Sequence, residues 1–220
     1  MEKIINIIKN KPLYFLYRIK GAFVYFLIRL GFYKNIKKLD IGGGPKKNRE
    51  FFNIDLGAES DLCMDLENKL FPFPNQSIDE AICISTINYF TKKRGEEIIK
   101  DLFRIMRPGG IVRFGTQDLE LITQKYVNRD QDFFFQKNNS GSDRFTGETI
   151  GDKFNSWFYG YAVRKNKGCK FFYDYETLSL LFKRAGFSII EKKKYLESRI
   201  HNIHDIDNRQ DQMFFIEAIK

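Results

Sequence analysis

Histidine and cysteine are scarce in this 220-residue chain, which holds two of the first and three of the second. Cys63, Cys83 and Cys169 are far apart and form no Cys-x-x-Cys pair. That excludes a disulfide framework and a zinc site of this type, and it fits a reducing, cytoplasmic setting. Cys83 lies inside an apolar run and reads as a small buried hydrophobe. Long apolar runs are missing as well. The most apolar region, Leu13 to Phe32, is interrupted by Arg18, Lys20 and Arg29, and its longest unbroken stretch is Ala22 to Ile28. A spanning helix needs about 20 apolar residues, and each central cation costs about 2.5–3.5 kcal/mol on insertion scales. The segment is therefore not expected to cross a membrane. No small-residue cleavage site follows it, so a signal peptide is not expected either. Internal repeats are absent.

Acids are almost absent from the leading segment. Residues 1–38 hold nine Lys or Arg against Glu2 alone, a local +8, whereas the other 182 residues hold 28 basic and 27 acidic side chains. The net +9 is thus a property of one segment. A nucleic-acid-binding domain would spread it over a face, so that partner is disfavoured. At about 100° per residue, Lys11, Arg18 and Arg29 fall on one stripe, with Tyr14 and Tyr25 beside it. Phe15, Phe23, Phe26 and Leu27 lie elsewhere around the helix, and Lys20 points away from the other cations. Residues 1–35 are expected to be a basic, apolar helical segment. Two placements fit it. One is against an anionic membrane surface, which would make the protein peripheral on the inner face; the other is packed on the domain or on a second copy, as a homodimer.

Beyond this segment, strand and helix patterns alternate. Ile36–Ile41, Phe51–Asp55, Ile78–Ser85 and Ile111–Gly115 read as strands, and residues 94–106 carry Ile98, Ile99, Leu102, Phe103 and Met106 at helical spacing up to Pro108-Gly109-Gly110. Tyr175–Ala185 repeats the helical period, with Leu178, Leu181 and Phe182 inward and Gly186 as its stop. Ser188–Tyr195 and Met213–Ile219 close the chain as strands. The alternation predicts an α/β sheet covered by helices on both faces over residues 36–220. Residues 119–172 resist the pattern. Phe133 to Tyr175 holds thirteen of the thirty-five aromatic rings, among them Phe154, Trp157, Phe158, Tyr159 and Tyr161. They suit either a lid over an acceptor pocket or a satellite core.

Chemistry gathers where strands end. Leu39-Asp40-Ile41-Gly42-Gly43-Gly44-Pro45 sets glycines at a sharp turn after a strand, where a ligand can approach bare backbone, and the carboxyl edge of a doubly wound sheet is where ligands bind. Asp55, followed by Leu56, ends the second strand eleven residues past Gly44, where a carboxylate can accept from two ribose hydroxyls. Asp65-Leu66 offers a carboxylate for an adenine amine and an apolar cover for the ring. The next strand brings Ser85 to the same edge.

This order of glycine turn, acid, acid-apolar pair, strand, helix, Pro-Gly-Gly and strand resembles class I S-adenosylmethionine-dependent methyltransferases. Leu70–Pro74 with Ser77-Ile78-Asp79, and Phe103–Gly110, are similar to stretches of the methyltransferase type 11 group. Arg113–Glu120, ending in Asp118-Leu119-Glu120, is similar to predicted bacterial methyltransferases linked to envelope polysaccharides. The likeness extends through Tyr173–Leu178, Ala185-Gly186-Phe187 and Glu217-Ala218. It implies a Rossmann-like, doubly wound seven-stranded sheet with an antiparallel last strand, S-adenosylmethionine as cofactor and S-adenosylhomocysteine as product. Its implied binding set is Asp40, Gly42, Gly43, Gly44, Pro45, Asp55, Leu56, Asp65, Leu66 and Ser85. The acceptor would be a small molecule or a lipid- or sugar-linked group. Where relatives often carry histidines, Ser85–Phe90 and Cys169-Lys170 have none, which leaves a non-catalytic cofactor-binding protein as an alternative. A nucleic-acid methyltransferase is less favoured, because the domain beyond residue 38 is nearly neutral. Asp118, just past the fifth strand, is the first candidate for a general base. It is equally a helix N-cap for the segment starting at Leu119. Tyr89, His201 and His204 are further candidates. The link from Gly44 to Phe51 is too short for a full crossover helix.

Overall fold

A computed structural model of the chain describes residues 11–45, 50–57, 59–138, 140–159 and 168–220. The Gly44–Phe51 link falls largely outside the described residues, as do Tyr161 and the first ten residues of the leading segment. Helix α1 (Lys11–Arg29) leads into β1 (Lys38–Ile41), β2 (Phe52–Asp55), the two-residue β3 (Leu62–Cys63) and β4 (Ile78–Ile84). Helix α2 (Lys92–Ile105) follows, then β5 (Met106–Gln117), α3 (Leu119–Val127), α4 (Gln131–Phe134) and α5 (Ile150–Tyr159). Helix α6 (Tyr175–Ala185), β6 (Ile189–Lys193) and β7 (Met213–Ile219) complete the order.

Seven strands form one sheet in the order β3-β2-β1-β4-β5-β7-β6. β1 pairs in parallel with β2 and β4, and β7 runs antiparallel to both β5 and β6. The sheet is the α/β Rossmann-like architecture expected for these residues. Its central strands are buried on both faces, which is why β1 and β4 read as apolar runs rather than as alternation. The short edge strand β3 has no apolar run of its own. It exists because Leu62 and Cys63 pair with Ile54 and Asp55.

Helix α2 starts where the Thr91 side chain accepts from the Arg94 N–H at 3.2 Å. It buries Ile98, Ile99, Leu102 and Ile105. Its Arg104 donates to the carbonyls of Phe71 and Phe73 at 2.9 Å each, and Asp101 accepts from the Phe71 N–H at 2.6 Å. These bonds fasten the Leu70–Pro74 stretch to α2. Strand β5 starts earlier than the sequence predicts and runs through Pro108-Gly109-Gly110. The extra residues are taken up as a bulge against β4 between Ile78 and Glu80, with Gly109 at φ +77°. Helix α6 is capped by Asp174, which accepts from the Thr177 N–H at 2.7 Å, and stops at Gly186 with φ +110°.

Helix α1 packs on the domain edge. Val24 and Ile28 enter the main core, and Gly21 meets Cys63 so closely that a Cβ there would sit 2.2 Å from the Cys63 carbonyl oxygen. Among residues 119–159, Ile122, Phe133, Phe134, Phe145, Ile150 and Trp157 make a second core, with Phe154 and Phe158 against it. The Trp157 indole N–H donates to Gln212 Oε1 at 3.1 Å, tying this core to the end of the β6–β7 connection. No described helix is long and apolar enough to cross a membrane.

Candidate cofactor site at the glycine turn

β1 ends in a turn that only glycine fits at two positions. Gly42 has φ +75°, and a Cβ on it would fall 2.1 Å from the Thr86 hydroxyl; a Cβ on Gly43 would lie 2.2 Å from the Asp40 carboxylate. Gly44, at φ +63°, has open space on its Cβ side. The turn is fixed from beneath. The Gly42 N–H donates to the Ile54 carbonyl at 2.7 Å, and Asn53 Nδ2 donates to the Gly44 carbonyl at 2.9 Å.

Asp55, at the end of β2, is turned to the same place. Its Oδ2 accepts from the Gly44 N–H at 3.2 Å and its Oδ1 from the Gly57 N–H at 2.6 Å. Asp65 accepts from the Glu67 N–H at 3.0 Å. A cavity of about 580 Å³ opens here. Of the ten predicted binding residues, Gly42, Gly43, Gly44, Pro45, Asp55, Leu56, Asp65, Leu66 and Ser85 line it. Asp40 does not. It is buried under the turn, and that burial, with the charge of Asp55 second, pushes its carboxyl up to about 7. Its place is that of a support beneath the cavity floor.

Sequence reasoning missed the far side of the cavity. Thr86, Phe90, Lys170, Asn208 and Arg209 line it, together with Tyr89. Lys170 Nζ pairs with Glu67 Oε1 at 2.9 Å across the cavity wall. Arg209 donates to the Ser85 hydroxyl at 2.9 Å, and Ser85 itself stands at φ +58°, a backbone conformation that costs a non-glycine residue of order 1–3 kcal/mol. Arg209 sits in the β6–β7 connection, held in place from two residues away. Asp207 takes two hydrogen bonds from the fully buried Arg113, at 2.9 Å to Nε and 2.5 Å to Nη2. Arg113 also donates to Glu217 Oε1 at 2.9 Å, and its guanidinium lies 4.9 Å from the Phe215 ring centre. No local motif announces Asn208 and Arg209. The signal was the buried arginine of β5, whose partners lie about a hundred residues away.

The base candidates separate. Asp118 caps α3, its Oδ1 accepting from the N–H groups of Glu120 and Leu121 at 3.1 and 3.2 Å; burial raises its carboxyl, and it is not in the cavity wall. His201 and His204 are exposed and also absent from the wall. Phe133, Phe134, Phe145, Phe154, Trp157 and Phe158 pack in the second core while Phe135 and Tyr159 are exposed, and among the described residues of 119–172 it is Lys170 that reaches the cavity.

The residues present suit an adenosyl ligand: bare backbone with room above Gly44, two carboxylates, and apolar cover from Met64 and Leu66. Residues 21–114, less than half of the chain, match a methyltransferase domain family (type 11). By this match the chain carries a methyltransferase domain over those residues. The matched span holds the glycine turn, Asp55, Asp65 and Ser85. Solved structures similar to this chain include S-adenosylmethionine-dependent methyltransferases from three organisms. That of Methanosarcina mazei is 19% identical, with 85% of this chain and 93% of that chain covered at a TM-score of 0.49. That of Thermotoga maritima is 16% identical, covering 98% and 97% at 0.48. That of Archaeoglobus fulgidus is 14% identical, covering 94% and 99% at 0.48. No curated protein matches the chain.

Proposed function

We propose that the chain is an S-adenosylmethionine-dependent methyltransferase that grips its cofactor with the ribose hydroxyls on Asp55, the adenine amine on Asp65 and the ring under Leu66. Leu56 and Gly42–Pro45 then form the rim along the chain to the methyl-bearing end, and Ser85 lies at that end. The observation that carries this reading is the hydrogen bond from the Gly44 N–H to Asp55, which makes the bare turn and the carboxylate one wall. When bound, S-adenosylmethionine supplies an electrophilic methyl group and leaves as S-adenosylhomocysteine. The chain's part is positioning. A rigid wall that holds two reactants at about 3–3.5 Å in line contributes ~7–11 kcal/mol.

The acceptor we assign is a small molecule or a lipid- or sugar-linked group, entering over β4 where Ser85, Tyr89, Asn208 and Arg209 line the cavity. Support comes from the near-neutral charge beyond residue 38 and from the polar lining at this end. The likeness around Asp118-Leu119-Glu120 directs the search to envelope polysaccharide precursors. Where the acceptor is a hydroxyl, turnover of Tyr89→Phe against Asp118→Asn separates a base in the wall from a residue that only caps α3.

The test is thermal unfolding with S-adenosylhomocysteine. At about 100 times its dissociation constant, a ligand bound only to the folded state adds ~2.7 kcal/mol. Asp55→Ala is expected to abolish most of that gain. A wild-type melting curve that ignores the ligand removes the site, and an undiminished gain in Asp55→Ala removes the ribose role.

A further inference from the structure

Helix α1 has two faces, and the domain uses one. Val24 and Ile28 are buried in the main core, with Gly21 against β3. Successive residues are about 100° apart, so these three share a stripe. The opposite side carries Phe15, Phe26, Ile19, Leu30, Phe23 and Leu16, which follow one another over an arc of about 100°. All six are more than half exposed. Arg18 and Arg29 border this arc on one side and Lys20 on the other, all exposed. A face of this size is unusual on a soluble surface and marks an interaction site.

We infer that the outer face of α1 docks this protein in the plane of an anionic lipid bilayer. The argument for that occupant is charge. Residues 11–38 contain Lys11, Arg18, Lys20, Arg29, Lys34, Lys37 and Lys38 and no acid. An in-plane helix sinks its apolar arc into the headgroup boundary while the bordering cations reach anionic headgroups. A second copy fits worse. A two-fold pairing brings identical surfaces together, so Arg18, Lys20 and Arg29 would face their own kind with no carboxylate in the segment to offset them. Crossing the bilayer is not in question, because the same cations interrupt the helix and its inner stripe is committed to the domain.

The experiment is co-sedimentation of the full chain with sucrose-loaded vesicles, either of phosphatidylcholine alone or with phosphatidylglycerol as an anionic minority. Binding is expected to the anionic vesicles only, and to weaken as salt is raised from about 0.1 to about 0.5 M. Arg18→Gln/Arg29→Gln is expected to lower the partition coefficient by about 25-fold, at about fivefold per cation. Phe23→Gln/Phe26→Gln should lower it by at least about tenfold. All four side chains are exposed, so both variants are expected to fold, and an intact melting shift with S-adenosylhomocysteine verifies this independently of the lipid result. Equal pelleting with neutral vesicles overturns the proposal, as does undiminished binding of either variant. Absence of lipid binding overturns it too, in favour of a second copy if sedimentation velocity shows a dimer that Phe23→Gln/Phe26→Gln dissolves. Removing α1 altogether is not the test, since that would strip Val24 and Ile28 from the core.

Discussion

Two groups of acids lie along the central sheet and are treated in opposite ways. Asp207 and Glu217 share the fully buried Arg113, and the same two carboxylates also accept from the Leu196 and Arg199 N–H groups and the Ser198 hydroxyl. Asp40 has Asp55 for a neighbour, and its carboxyl is raised by burial and by that second acid. The first group is closed: each charge is spent inside the protein, and the result is a fixed loop. The second group is open, with Asp55 facing a cavity. Paired buried charge marks structure here, and like charge gathered beside a cavity marks the place where a ligand is to be held. Asp118 lies between the two cases, a buried acid answered by the N–H groups of a helix start.

The comparison breaks first at Arg113. Removing one partner of a buried ion pair typically costs about 3–5 kcal/mol, and Arg113→Met leaves two carboxylates behind, so the upper end is expected in urea unfolding. A loss below about 1 kcal/mol would mean that the cluster is not what holds the β6–β7 connection. Asp40 comes next. Its folded pKa of about 7 lies above the ordinary 3.8, so the folded state keeps a proton that the unfolded state has released. Its contribution is therefore full below about pH 4 and is lost as pH rises toward 7, by up to roughly 4 kcal/mol. Asp40→Asn should flatten that fall, and parallel stability–pH curves for wild type and variant would contradict it. A smaller effect is expected at Asp55. Asp55→Asn removes one of the two causes that raise Asp40, so the pH window of the fall should close from its upper end. An unchanged window would separate the two acids. Smallest is Asp118→Ala, expected to cost about 1 kcal/mol through the lost cap; a loss of turnover with unchanged stability would instead return it to the chemistry.

Much of the cofactor half was legible. Apolar runs located β1, β2, β4 and β7, and the spacing of Leu178, Leu181 and Phe182 up to Gly186 located α6, because strand and helix burial write themselves as local patterns. Gly42–Gly44 and Asp55 could be read as one site because each ends a strand, and parallel strands end at one edge; Asp65 joined them through its place in the chain order as an acid-apolar pair. The far side of the cavity was not legible. Lys170, Asn208 and Arg209 have no pattern around them, and they reach the cavity through contacts that skip a large part of the chain, such as Arg113 with Asp207. The aromatic stretch was legible only as a choice between a lid and a second core, since rings pack equally well in either.

What the sequence determined by itself was therefore the order of elements, the turn that excludes side chains, and the segment that carries the surplus positive charge, all properties of neighbours along the chain. Only the tertiary structure decided which face of α1 is buried, that Asp40 lies under the turn while Asp55 faces the cavity, and which distant loop completes the wall. Those outcomes depend on which surfaces meet, and burial and charge pairing are settled between segments, not within them.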